Sequence, residues 1–151
     1  MGLFNRIREW WRRRQPVRPS PQPPPNSPPA GDLPARLLAL ANAERFPNAV
    51  AFTHDVRVQQ AAQDHAELMA GSVGLVHSDY GRTLDEAGYS WKTASENIAE
   101  GQETAEGAID AWMRSPGHRE NLLGPYHHAG FGAAMRGDGR WFWCGIFATP
   151  G

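Results

Sequence analysis

The spacing of apolar positions divides the chain into three parts. In "MGLFNRIREWWRRRQ", residues 1–15, Leu3, Phe4, Ile7, Trp10 and Trp11 recur on one helical face. Arginines fill the other face, which predicts an interfacial amphipathic helix. Residues 16–31, "PVRPSPQPPPNSPPAG", have no period. Such a run favours polyproline II and reads as a spacer, with a reach of roughly 50 Å at about 3.1 Å per residue. From Asp32 the helical period begins. "DLPARLLALANAERF" predicts a helix capped by Asp32, with Pro34 in its first turn and Leu37, Leu38, Leu40 and Ala41 on the buried stripe. "THDVRVQQAAQDHAELMAG" predicts a second, capped by Thr53 or Asp55 and closed by Gly71. A short third helix fits "RTLDEAGY" and a fourth fits "TAEGAIDAWMRS". The period then changes. "AGFGAAM" and "RWFWCGIFA" are β-type runs joined by "RGDGR", whose Asp-Gly is a hairpin signal. Helices followed by an antiparallel hairpin predict an α+β domain over residues 32–151.

Charge sharpens this division. The net charge of −1 hides a split: residues 1–18 carry +5 and the remainder carries −6. An acidic body is a poor nucleic-acid binder, so no nucleic-acid partner is expected. The basic amphipathic segment has two readings, attachment to an anionic membrane surface or a tail that adheres weakly to anything anionic. It lacks the apolar core and cleavage site of a secretory signal and the length of a membrane span. Gly2 meets Arg6 where a myristoylation motif needs Ser or Thr. The single cysteine, Cys144, excludes an internal disulfide and a cysteine-built zinc site. Its place in an apolar strand marks it as a packing residue.

The remaining chemistry lies with histidines and carboxylates. His65 sits within the second helix, in a packing or capping role, while His54 at a helix start reads as exposed. His127 and His128 read as structural or solvated. His77, in "LVHSDYG", and His118, in "SPGHREN", differ in setting. His118 falls in a helical first turn with Ser115 as cap, where the dipole keeps an imidazole neutral and able to bind metal. Glu96, in "SENIAEG", precedes a glycine-bearing loop. Two neutral histidines and a carboxylate would suit zinc with an open coordination position. Spacing alone equally allows three separately satisfied polar residues.

Six pieces in fixed order, "LLALANAER", "AAQDHAELMA", "VHSD", "AGYSWKTASENIAEG", "AWMRSPGHRENLLGP" and "AGFGAAM…WFWCGIFA", carry a resemblance. Residues 32–151 resemble the CAP superfamily, also called the SCP or pathogenesis-related superfamily, in its short bacterial form. The resemblance implies an α-β-α sandwich with a small antiparallel sheet between helical layers and an open cleft. It also implies that His77 and His118 hold a divalent metal, most simply zinc, with Glu96 beside them as base or ligand. Ser115 stands where the wider family has a second glutamate, which puts a two-carboxylate mechanism in doubt. Glu120 and His128 are the substitutes within reach of the sequence. Asn97 and Asn121 would orient cleft loops.

Two classes of function follow from that likeness, beside the plain reading of a stable scaffold whose cleft histidines are relics. One is a module whose cleft binds a lipid, cell-wall or protein ligand. The other is a metal-assisted hydrolase of peptides or cell-wall material, with Glu96 as its catalytic group. The missing carboxylate favours binding. Family analogy places the protein outside the cell, whereas the N-terminus suggests peripheral membrane attachment or export without a Sec-type signal.

Overall fold

The computed structural model describes residues 32–151, so the readings made for residues 1–15 and 16–31 lie outside the described residues. Helix α1 spans Leu33–Arg45, with the Asp32 carboxylate accepting from the Ala35 N–H at 3.2 Å. Strand β1 is Thr53–His54, and α2, Val56–Leu68, starts at Asp55, whose side chain accepts from the N–H groups of Arg57 and Val58. These caps satisfy donors that a helix start leaves without partners. Beyond Leu68 the helix does not close at Gly71 as expected. It continues as a π-helical turn, Met69–Val73, and stops at Gly74, where φ of 72° suits glycine.

Helix α3, Tyr80–Glu86, begins two residues before the predicted segment, because Asp79 supplies its cap. Strand β2 is Trp91–Glu100, α4 is Ala105–Arg114 and α5 is Pro116–Leu123. Strands β3, His128–Met135, and β4, Trp141–Pro150, form the expected hairpin. Strand β2, a stretch for which the sequence predicts no element, carries Glu96 and ends at Glu100, just before Gly101.

The sheet order is β1-β3-β4-β2. Both β3 and β2 run antiparallel to β4, while the two-residue β1 pairs parallel with β3, so the expected antiparallel sheet is mixed. Side chains alternate across it. Trp143 and Phe147 of β4 join Leu37 of α1, Trp112 of α4 and Leu122 of α5 on one face. Phe142, Cys144 and Ile146 join Val58 and Ala62 of α2, Met69, and Leu84 of α3 on the other. The result is the α-β-α sandwich that the resemblance implied.

Two devices fix the layers. Helix α2 lies directly on Gly130 and Gly132 of β3, where a Cβ would collide with the backbone of Val58, Gln59 and Ala62. From this close position the Gln59 and Gln63 amides each exchange two hydrogen bonds with the β3 backbone, at Phe131 and Ala133. They occupy the outer edge of β3 where β1 has ended. On the opposite face, the buried Arg45 guanidinium donates to the carbonyls of Val50, Leu122, Gly124 and Tyr126, and stacks 3.8 Å from the Phe52 ring centroid. One side chain thereby joins the end of α1 to the end of α5.

Candidate functional site

The expected site residues converge on β2, which is an edge strand because it pairs only with β4. Neighbouring residues of a strand point to opposite faces. Glu96 therefore turns toward the layer of α2 and α3, and Asn97 toward α5.

The Glu96 side chain has no exposed surface. Oε1 accepts from the Ser78 N–H at 2.9 Å and pairs with His77 Nδ1 at 2.9 Å. Oε2 accepts from the Ser78 hydroxyl and from the Cys144 thiol, the latter at 3.7 Å. Burying a carboxylate is costly unless its oxygens are satisfied, and here four donors do so. Burial pushes the Cys144 thiol up, and the adjoining carboxylate adds to this, so the thiol stays protonated and donates. Cys144 is a packing residue with one weak hydrogen bond, as its sequence setting implied.

The His77 ring remains 57% exposed. With Nδ1 held by Glu96, Nε2 is the ring nitrogen free of partners among the described residues. His118 lies in the first turn of α5, as expected. Burial lowers the basicity of its imidazole, and the nearby His77 lowers it further. His77, in the loop before α3, is tied to β2 through Glu96, and His118, on α5, through Asn97 on the opposite face of the strand. Between them runs the edge of β2.

Asn97 and Asn121 support this arrangement. Fully buried Asn97 donates from Nδ2 to the His118 carbonyl at 2.8 Å and accepts at Oδ1 from Asn121 Nδ2 at 3.0 Å. Asn121 also reaches the Glu96 carbonyl at 3.4 Å, and Trp112 Nε1 donates to the Ile98 carbonyl at 3.1 Å. Side chains from α4 and α5 thus occupy the outward backbone acceptors of β2. Ser115 stands at the first boundary of α5, but its hydroxyl makes no capping bond. Neither substitute carboxylate nor histidine joins the group: Glu120 is exposed, and His128, two strands away, is bonded through Nδ1 to Tyr89 at 2.8 Å. His65 is buried and bonded to the Val76 carbonyl at 2.7 Å, consistent with its packing role.

Ser78 is the member that sequence reasoning missed. The available signal was its place after His77 in "VHSD", since a serine there presents both a hydroxyl and an N–H to one carboxylate. Among the described residues, no three His, Cys, Asp or Glu side chains are grouped to hold a metal ion. A pocket of about 360 Å³ opens beside His77, between α2 and α3.

Comparison with known proteins gives consistent relatives. The family model for cysteine-rich secretory proteins, CAP, matches residues 3–147. The uncharacterized protein YkwD of Bacillus subtilis is 36% identical over 110 residues, which cover 68% of this chain and 43% of that protein. An extracellular protein of Bacillus anthracis containing an SCP domain superposes with a TM-score of 0.71 at 23% identity, covering 78% of this chain and 40% of the other. An outer surface protein of Borrelia burgdorferi gives 0.70 at 18% identity, covering 78% and 92% respectively. The chain spans less than half the length of the two Bacillus proteins.

Proposed function

The chain belongs to the CAP family of cysteine-rich secretory proteins, and from that footing we propose that its His77–His118 cleft is a binding site rather than a hydrolytic one. It takes a divalent cation together with a lipid, cell-wall or protein ligand outside the cell. The observation that carries this reading is the saturation of Glu96. A general base needs a lone pair within reach of a water molecule. All the donors around Glu96 belong to the protein, and its side chain is closed to solvent. Glu96 instead fixes the His77 ring with Nε2 outward, as an outer-shell carboxylate does for a metal-binding histidine.

His77, through the Nε2 that Glu96 leaves free, and His118, whose burial disfavours the protonated ring, are the residues that would hold a divalent ion. They do not fit a zinc centre with three protein ligands, because Ser115 and the buried Glu96 leave the third position unfilled. Such an ion, when bound, supplies a positive centre for an anionic or carbonyl-bearing ligand. The extracellular Bacillus anthracis protein and the Borrelia outer surface protein support a location outside the cytoplasm. Among the described residues, no helix is long and apolar enough to cross a membrane.

Calorimetric zinc titration of the full chain tests the reading, with folding followed by circular dichroism. One ion per chain is expected, with binding abolished in folded His118→Ala and weakened about 10–100-fold in Glu96→Gln. Absence of binding by the wild type overturns the metal assignment. Turnover of peptidoglycan fragments, lost in folded Glu96→Gln, overturns the preference for binding.

A further inference from the structure

His77 can present either ring nitrogen to the cleft, and the one it presents decides what it can hold. A neutral imidazole carries its proton on one nitrogen and leaves a lone pair on the other, and the hydrogen bond made by the first sets the state of the second. Packing does not make this choice. The ring is 57% exposed and is bonded, among the described residues, to Glu96 alone. The choice therefore passes to the Glu96 carboxylate. A glutamate's terminal torsion is broad and roughly two-fold, so the buried place of Glu96 on β2 does not by itself aim Oε1 at Nδ1.

Ser78 supplies the aim. Among the described residues it is the one that bonds both oxygens, its N–H donating to Oε1 at 2.9 Å and its hydroxyl to Oε2. The other donor on Oε2, the Cys144 thiol, is 3.7 Å away and intrinsically weak. The serine is itself anchored. It precedes Asp79, whose side chain caps α3 by accepting from the Arg82 N–H at 3.3 Å. The Asp79 carbonyl accepts from the Thr83 N–H and hydroxyl, each at 2.9 Å. The start of α3 thus fixes the serine, the serine fixes the carboxylate, and the carboxylate fixes the ring. Ser78 is half-buried and lines the pocket beside His77, so its hydroxyl can be removed without opening a hole in either core cluster.

We infer that Ser78 is a positioning residue: its hydroxyl holds Glu96 Oε2 so that Oε1 meets the His77 Nδ1–H, which keeps His77 in the tautomer whose Nε2 lone pair faces the cleft. Without that hydroxyl the carboxylate can turn, and the exposed ring samples both tautomers. The tautomer belongs to the metal-free chain. Its consequence for a bound ion rests on the metal-binding role proposed for the cleft, where loss of such a partner weakens binding about 10–100-fold.

The test is long-range ¹H–¹⁵N NMR of the metal-free full chain at about pH 8, where an ordinary imidazole is neutral. Wild-type His77 should show a protonated Nδ1 and a bare Nε2. In Ser78→Ala the two nitrogens should move toward a common, averaged shift, with circular dichroism unchanged. Ser78→Thr, which retains the hydroxyl, should keep the wild-type pattern. His65 and His128, bonded to the Val76 carbonyl and to Tyr89, should hold their signals in both variants. A proton on Nε2 in the wild type overturns the proposal, as does an unchanged pattern in folded Ser78→Ala or averaging in folded Ser78→Thr. Movement of His65 and His128 together with His77 also overturns it, since that marks general loosening. Zinc calorimetry on the same variants reads the second step, with a 10–100-fold loss expected in Ser78→Ala. A wild type that binds no zinc sinks the metal-binding role alone and leaves the tautomer result to decide the part played by Ser78.

Discussion

Asn97 links the two sides of the site through one amide, since it holds the His118 carbonyl and the Asn121 side chain while fully buried. Asn97→Ala leaves a buried acceptor without its donor, which costs about 1–3 kcal/mol. Urea unfolding should show a lower midpoint with an unchanged slope, and an unaltered midpoint rejects this role. His118 adds a pH dependence. Its folded-state pKa lies below the ordinary value of about 6.5, so the unfolded chain binds more protons in that interval. Stability is therefore full above about pH 6.5 and declines as pH falls toward the folded value. Removing the neighbouring imidazole with His77→Ala should raise the His118 pKa, as followed by NMR; no movement means the rings do not interact. The two histidines were legible because each stands in a distinctive local context. The duty of Glu96 was not, because it depends on the Ser78 hydroxyl and the Cys144 thiol, which arrive from other elements.

At the scale of elements, the contact between α2 and β3 depends on two missing Cβ atoms. Gly132→Ala would press a methyl group into the Ala62 carbonyl, with backbone on both sides and no flexible side chain to yield. The expected cost is about 3 kcal/mol or more. Gly137→Ala in the β3–β4 turn, with open space around it, should stay within about 0.5 kcal/mol. Equal effects in urea unfolding would refute the close-packing account. The β3–β4 hairpin was readable from Asp138-Gly139 and the flanking apolar runs. Strand β2 escaped because residues 95–99 are all buried, and the first three are Ser, Glu and Asn. Period-two reading needs apolar residues at alternate positions, whereas this strand gives its buried polar positions to the site. The π turn was equally hidden, since Gly71 offered an earlier stop than Gly74.

For the whole molecule, the sheet margins decide whether one copy stays apart from the next. An unpaired strand edge is a template for another strand. Gln59 and Gln63 fill that role on β3 with side-chain amides. Gln59→Ala/Gln63→Ala should therefore raise the average mass seen by light scattering at concentrations where the parent is monodisperse, and an unchanged mass rejects the edge-blocking role. Arg45 acts over a comparable span. Helix α5 is only eight residues long, a length that would ordinarily fray on its own. Its Leu122 carbonyl and the following Gly124 carbonyl are held by a guanidinium rooted in α1, more than 70 residues earlier. Opening α5 therefore breaks contacts that belong to the global fold. The helix that carries His118 should therefore exchange late, its amide protons released with the cooperative unit rather than ahead of it, and early exchange of α5 amides in native-state hydrogen exchange would reject this role for Arg45.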